Sequence, residues 1–244
     1  MKKIGLVLFS VFSAAVPVFA QGVINAEAAA VNGEEQTMTF MVLLKQGGWT
    51  MWPLGLCSVA MVFFVVRNAL MLRQKELLRP DLRKDFEDIL REGRIKDARR
   101  MCEDHVCLMT AVLDAGLERM EESADIVSAK EAIEEAGNEQ MVTFMKPINY
   151  LSIIGAISPM LGLLGTVSGM IKAFQSISAS GMGKPEQLAG HIGEALITTA
   201  VGLTIAIPAM LAYFIFKNGF IKTMSSMERT ISHFLNVYQN SQNR

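Results

Sequence analysis

Thr166 and Thr199 carry hydroxyl groups inside stretches that hold no Asp, Glu, Lys, Arg or His. A hydroxyl donates one hydrogen bond and accepts others without bearing charge, so a row of them can pass a proton or line the path of a cation. Thr198 and Ser168 lie close by in sequence, and Thr204 stands further along the same run as Thr199. Threonine hydroxyls in helices often bond back to their own backbone, which is the plainer role for any one of them. A hydroxyl cannot store a proton as charge, however, and proton movement at membrane depth needs a titratable carrier. Residues 46–66, 148–171 and 195–216 contain no Asp, Glu, Lys, Arg or His, and Glu194 stands at the edge of the last run. If this chain conducts protons, the missing acid comes from a partner helix. A membrane scaffold would need no such acid.

These residues must be held by the three uncharged runs, which are 21, 24 and 22 residues long. A helix needs about 20 apolar residues to cross a hydrocarbon core of about 30 Å, and it satisfies its own backbone there. The second run carries Gly155, Gly162, Gly165 and Gly169, and the third carries Ala195, Thr198, Gly202 and Ala206. Small ridges of this kind let helices approach closely in lipid, where no hydrophobic drive brings them together. Pro159 and Pro208 interrupt the hydrogen-bond ladders of these two spans and deprive the carbonyls of Gly155 and Thr204 of their usual donors. Counted along a helix at about 1.5 Å per residue, Thr166 lies about 9 Å from Lys172 and Thr199 about 7.5 Å from Glu194. The two hydroxyls are therefore expected at similar depth.

The ends of the chain and its charges set the topology. Lys2 and Lys3, an apolar stretch at 4–18 and Val18-Phe19-Ala20 have the form of a secretory signal peptide over residues 1–20. Residues 67–146 hold 14 of the 23 Lys and Arg, against Lys45 alone in 21–46 and Lys172 and Lys184 between the later spans. The positive-inside rule places 67–146 and the C-terminal tail in the cytoplasm and the N-terminus outside. The expected order is a signal peptide (1–20), a periplasmic lead (21–48), a first span (49–69), a cytoplasmic helical domain (70–146), a second span (147–172), a periplasmic loop (173–190), a third span (191–216) and a cytoplasmic helix (217–244). Trp49 and Trp52 suit an interfacial aromatic belt, and Pro53 suits a first helical turn. The spacing predicts cytoplasmic helices over 81–91, 95–103 and 106–121, with Gly93 as a break. A further helix capped by Ser123 runs straight into the second span. Residues 176–184 read as a short outer turn, and Pro185 as the first residue of the next helix. The apolar faces of the cytoplasmic helices must be buried, in part between subunits.

Other classes are disfavoured. A net charge of −1 gives no reason for a nucleic-acid partner. Cys102, His105 and Cys107 lack the fourth ligand and the spacing of a metal site, so no metal or other cofactor is expected. The three histidines are scattered and no nucleophile has a base beside it, so no enzyme is expected. Cys57, Cys102 and Cys107 make no disulfide framework.

Residues 158–171 (SPMLGLLGTVSGMI) and 194–209 (EALITTAVGLTIAIPA) resemble the second- and third-span motifs of the ExbB/TolQ/MotA proton channel family, of the ExbB/TolQ type. The resemblance extends over roughly residues 45–240. It implies an all-α membrane protein of three spans with long cytoplasmic helical extensions, assembled as a homopentameric ring in the bacterial inner membrane. It implies an ExbD/TolR-type single-span partner bearing a membrane aspartate, and a TonB- or TolA-type transducer. By matching motifs, Thr166, Thr199 and the adjacent Thr198 fall in the ion pathway and Glu194 at its outer edge. Gly162, Gly165, Gly169, Gly202, Ala206, Pro159 and Pro208 fall in the helix packing. Proton conduction for outer-membrane transport or envelope maintenance is the implied role. A sodium-driven member, for which the Thr198–Thr199 pair offers an extra hydroxyl, and a non-conducting scaffold remain the alternatives.

Overall fold

The computed structural model describes residues 48–72, 77–123, 125–180 and 185–242. The expected signal peptide and almost all of the expected periplasmic lead lie outside the described residues. Among the described residues the helices run, in order, α1 (Met51–Met71), α2 (Arg83–Arg91), α3 (Ile95–Asp104), α4 (Leu108–Ser123), α5 (Ile126–Ser180) and α6 (Pro185–Gln242). A 3-10 turn at Pro80–Leu82 leads into α2. Three of the helices, α1, α5 and α6, are long and apolar enough to cross a membrane. Two compact units form, and α5 and α6 contribute to both.

The first unit combines α1 up to Arg67 with the Asn149–Tyr213 portions of α5 and α6. Its inside is made of small or slender side chains: Ser158, Thr198, Ala195, Ala206 and Ala209 are buried together with Leu54, Met61 and Leu151. Its outside is apolar, with Leu56, Val59, Phe63, Ile153, Ile157, Met160, Leu163, Leu196 and Ile207 exposed. A surface of that kind is stable only when lipid or another apolar face covers it. Phe64 and Tyr150 stack at 4.9 Å and tie α1 to α5.

The second unit contains Asn68–Ile148 and Phe214–Arg244. On α6, Phe220, Met224, Met227, Ile231 and Phe234 recur at three- and four-residue intervals and are all buried, the stripe an amphipathic helix presents to its core. Phe86 of α2 meets Phe234 at 5.9 Å, and Phe144 of α5 stacks on Phe220 at 5.5 Å. Leu113 and Leu117 complete the core from α4. Between α3 and α4, Arg99 holds Glu121 at 2.9 Å, Asp114 at 3.3 Å and Glu118 at 3.4 Å, and these acids raise its pKa above the ordinary guanidinium value. Asn68 is buried and donates to the Pro147 carbonyl at 3.0 Å.

Local chemistry explains the boundaries and corrects three expectations. Gly93 has φ +72°, and the Arg94 and Gly93 amides bond back to the Ile89 and Leu90 carbonyls, so the chain ends α2 at the expected break. The helix expected from residue 106 starts at Leu108 instead. The Thr110 hydroxyl donates to the His105 carbonyl at 2.7 Å and accepts from the Cys107 amide at 2.8 Å, which holds 105–107 in a turn. Ser123 closes α4 rather than opening the next helix. Asp125 does the capping, accepting from the Val127 and Ser128 amides at 3.1 Å each. The expected outer turn over 176–184 is shorter, because α5 continues through Ser180. Nothing in Ser176–Ser180 forbids helix, and the serines interrupt only the apolar pattern. Pro185 begins α6 as expected.

Candidate ion pathway

The glycines of α5 form the floor against which α6 lies. A β-carbon on Gly162 would stand 3.0 Å from both the Thr198 carbonyl oxygen and the Thr199 α-carbon. One on Gly169 would stand 2.8 Å from the Ala195 β-carbon and 2.9 Å from the His191 carbonyl oxygen. One on Gly165 would collide with the Thr198 side chain, and one on Gly155 with Met210. From the other side, a β-carbon on Gly202 would lie 2.6 Å from the Ser158 carbonyl oxygen. The two backbones thus touch along four turns, which only small residues permit.

This approach decides where the hydroxyls go. Thr198 is fully buried against Gly165 and donates to its own Ala195 carbonyl at 2.7 Å, with the Gly162 carbonyl 3.4 Å away. Thr199, half-buried, reaches across to the Gly162 carbonyl at 3.2 Å. Thr166, also half-buried, donates to the Leu163 carbonyl at 2.7 Å. Thr166 and Thr199 therefore serve consecutive carbonyls of α5, in keeping with the matched depth expected for them. Ser158 and Thr204 bond to their own helices, at the Ile154 and Ala200 carbonyls. Ala206 is buried, and Pro208 is accommodated within α6. Pro159 is accommodated within α5 in the same way.

At the end of the helix pair nearest the α5–α6 connection, Glu194 stands at the centre of a cluster. The Lys172 ammonium lies 2.7 Å from its Oε1, and His191 Nδ1 lies 3.9 Å from its Oε2. Gly48, at φ +66°, lies so close that any side chain there would run into Oε1. The Glu194 side chain is 18% exposed and that of Lys172 38%. Trp49 Nε1 donates to Ser168 Oγ at 3.4 Å and brings the head of α1 to the same rim. Lys172 and His191 were not among the residues singled out from sequence. Lys172 marked only the end of a span, and its opposite charge to Glu194 across the connection was the available sign. Gly48 carried no signal.

A sequence model described as the MotA/TolQ/ExbB proton channel family matches residues 106–229, half of the chain. The biopolymer transport protein exbB1 of Vibrio cholerae is 41% identical over 96 residues, which cover 39% of this chain and 42% of that protein. An ExbB-like biopolymer transport protein of Synechocystis sp. is 30% identical over 186 residues, covering 73% of this chain and 70% of that one. The Tol-Pal system protein TolQ of Haemophilus influenzae is 31% identical over 115 residues, 47% of this chain and 49% of TolQ. The chain spans less than half the length of several relatives it matches, 42% for the Vibrio protein and 36% for an ExbB of Xanthomonas campestris. The glycine-lined α5–α6 pair falls within the family match, and with three helices able to span a membrane the chain belongs to the MotA/TolQ/ExbB proton channel family.

Proposed function

We propose that this chain is a proton-conducting subunit of a bacterial inner-membrane energiser. In this reading, copies of it form a ring, five by the family resemblance, around an ExbD/TolR-type partner whose membrane aspartate carries the proton. The observation that supports it best is the pair of hydroxyls, Thr166 and Thr199, on the consecutive carbonyls of Leu163 and Gly162. They form a polar spot on a glycine-tight helix pair whose runs contain no Asp, Glu, Lys, Arg or His. Such a spot can relay a proton to an acid but cannot hold one, so the acid stands on another chain. Each elementary charge crossing is worth about 2.3 kcal/mol per 100 mV, enough over a few charges to repack a helix interface.

The charge bias supports an N-terminus in the periplasm and a C-terminus in the cytoplasm, with spans near 49–69, 147–172 and 191–216 and a cleaved signal before residue 21. The relatives' names, biopolymer transport and the Tol-Pal system, support a client across the periplasm, a TonB- or TolA-type transducer. The test is a mild-detergent purification from native membranes with intact-mass analysis, followed by proton uptake in vesicles. Several copies of this chain with a small single-span protein bearing a membrane aspartate are expected. In that assembly Thr166→Val with Thr199→Val should lower uptake by ~10-fold or more, about 1.4 kcal/mol on the barrier. A stable lone monomer, or full uptake in the double variant, overturns the reading; the latter is what a scaffold would give.

A further inference from the structure

We propose that Lys172 is the ion-selectivity residue of this subunit. Its tethered ammonium fills the place on the Glu194 carboxylate that a metal cation would take, so the pathway admits protons and rejects sodium. This rests on the conducting role argued above.

The geometry of the Glu194 carboxylate supports it. Oε1 has the Lys172 ammonium at 2.7 Å. On its other side is Gly48, where a β-carbon would strike Oε1 and lie 3.5 Å from the ammonium nitrogen. Oε2 faces His191 Nδ1 at 3.9 Å. Among the described residues, the groups facing Glu194 are thus Lys172 from α5, His191 from α6 itself and the Gly48 backbone at the head of α1. A hard cation needs several oxygen ligands in place of its water, and the side chains around Glu194 bring nitrogens instead. Glu194 is the more enclosed of the pair and Lys172 the more exposed, so a cation arriving from water meets the ammonium before the carboxylate.

Position makes the pair a checkpoint. Lys172 lies six residues beyond Thr166 on α5, and Glu194 five residues before Thr199 on α6, about 9 Å and 7.5 Å along the two helices. The pair therefore stands at this end of the two hydroxyls. A sodium ion would have to displace the ammonium and leave two like charges within a few ångströms of each other. A proton needs no such displacement, because it moves by rearranging hydrogen bonds through water or the carboxylate itself. Neutralising residue 172 removes the tethered cation from the Glu194 carboxylate, which opens the place that a mobile cation can occupy.

The test uses the assembly purified with its native partners, in phosphatidylethanolamine–phosphatidylglycerol vesicles under an imposed potential. Proton and sodium uptake are followed by separate dyes in sodium and in choline buffer. Wild type should take up protons equally in both buffers and take up sodium no faster than protein-free vesicles. Lys172→Met, which keeps the length and removes the charge, should raise sodium uptake by ~10-fold or more, and Lys172→Arg should behave as wild type. Lys172→Gln is read in place of the methionine variant if the latter does not assemble. Sodium uptake by wild type, or a neutral variant that conducts protons without gaining sodium uptake, overturns the inference and leaves the conducting reading intact. Wild-type assemblies that pass neither ion overturn both.

Discussion

A single methyl group placed on Gly202 tests the α5–α6 packing most directly. In Gly202→Ala the new carbon would stand 2.6 Å from the Ser158 carbonyl oxygen, 3.2 Å from the Gly162 α-carbon and 3.4 Å from the Gly162 nitrogen. All three are backbone atoms, so no flexible side chain can swing aside. Restoring ordinary contact requires the helices to part by roughly 0.8 Å at that level, and a gap of that size forfeits about a quarter to a half of each dispersion contact nearby. The Thr199–Gly162 bond, now 3.2 Å, would stretch to roughly 4 Å and be lost, at about 0.6 kcal/mol inside a membrane. Overpacking of this kind costs about 1–3 kcal/mol, partly offset by up to about 1 kcal/mol because alanine favours helix over glycine. The net expectation is a loss of about 2 kcal/mol. Gly55→Ala in α1 is the internal control, since a β-carbon there meets nothing within 4 Å. It should be neutral or gain up to about 1 kcal/mol. Unfolding in mixed micelles on titration with dodecyl sulfate, followed by energy transfer between dyes on α5 and α6, would separate the two variants by about 3 kcal/mol. If Gly202→Ala unfolds at the same midpoint as Gly55→Ala, the argument for direct backbone contact fails.

Two further predictions concern the second unit. The Ser128 hydroxyl first, and then the Val127 and Ser128 amides, hold the Asp125 carboxyl below the usual carboxylate range. A carboxyl lowered by folding contributes stability that is present above its unfolded pKa and lost as pH falls through the lower folded value. Protection of the Val127 and Ser128 amides, relative to their intrinsic exchange at each pH, should therefore fall on acidification through the carboxylate range. Asp125→Ala should show that loss of protection already at pH 7, and unchanged protection there would remove Asp125 from the cap. Burial pushes the Cys102 thiol up to about 12, while Cys107 is only half-buried. Since the thiolate is the reactive form, iodoacetamide at pH 8 should modify Cys107 in the native protein and reach Cys102 only after unfolding. Peptide mass analysis with equal early labelling of both would contradict the burial of Cys102.

Much of this protein was legible in one dimension because the rules that govern it act on local composition. Charge and unpaired backbone are expensive in hydrocarbon, so three uncharged runs mark three helices wherever the rest of the chain goes. A glycine with positive φ ends a helix and a proline starts one, so the break at Gly93 and the start at Pro185 were readable where they stand. The small-residue ridges also identified the two spans that pack together. The competition between Ser123 and Asp125 was less readable, because both are good caps two residues apart and only the geometry of the turn between α4 and α5 chooses.

The offset between α5 and α6 belongs to the tertiary structure. Thr198 and Thr199 are chemically identical neighbours, and a helix turns about 100° between them. One is buried against Gly165 and bonds most closely to its own Ala195 carbonyl, while the other, half-buried, bonds across to the Gly162 carbonyl, a difference set by how two helices slide and rotate against each other. The same offset brings Lys172 to Glu194, across 22 positions and a connection whose conformation the spacing does not dictate. Periodicity names the face of a helix, but the partner met by each residue on that face depends on register, and register is chosen by the sum of all the close contacts at once.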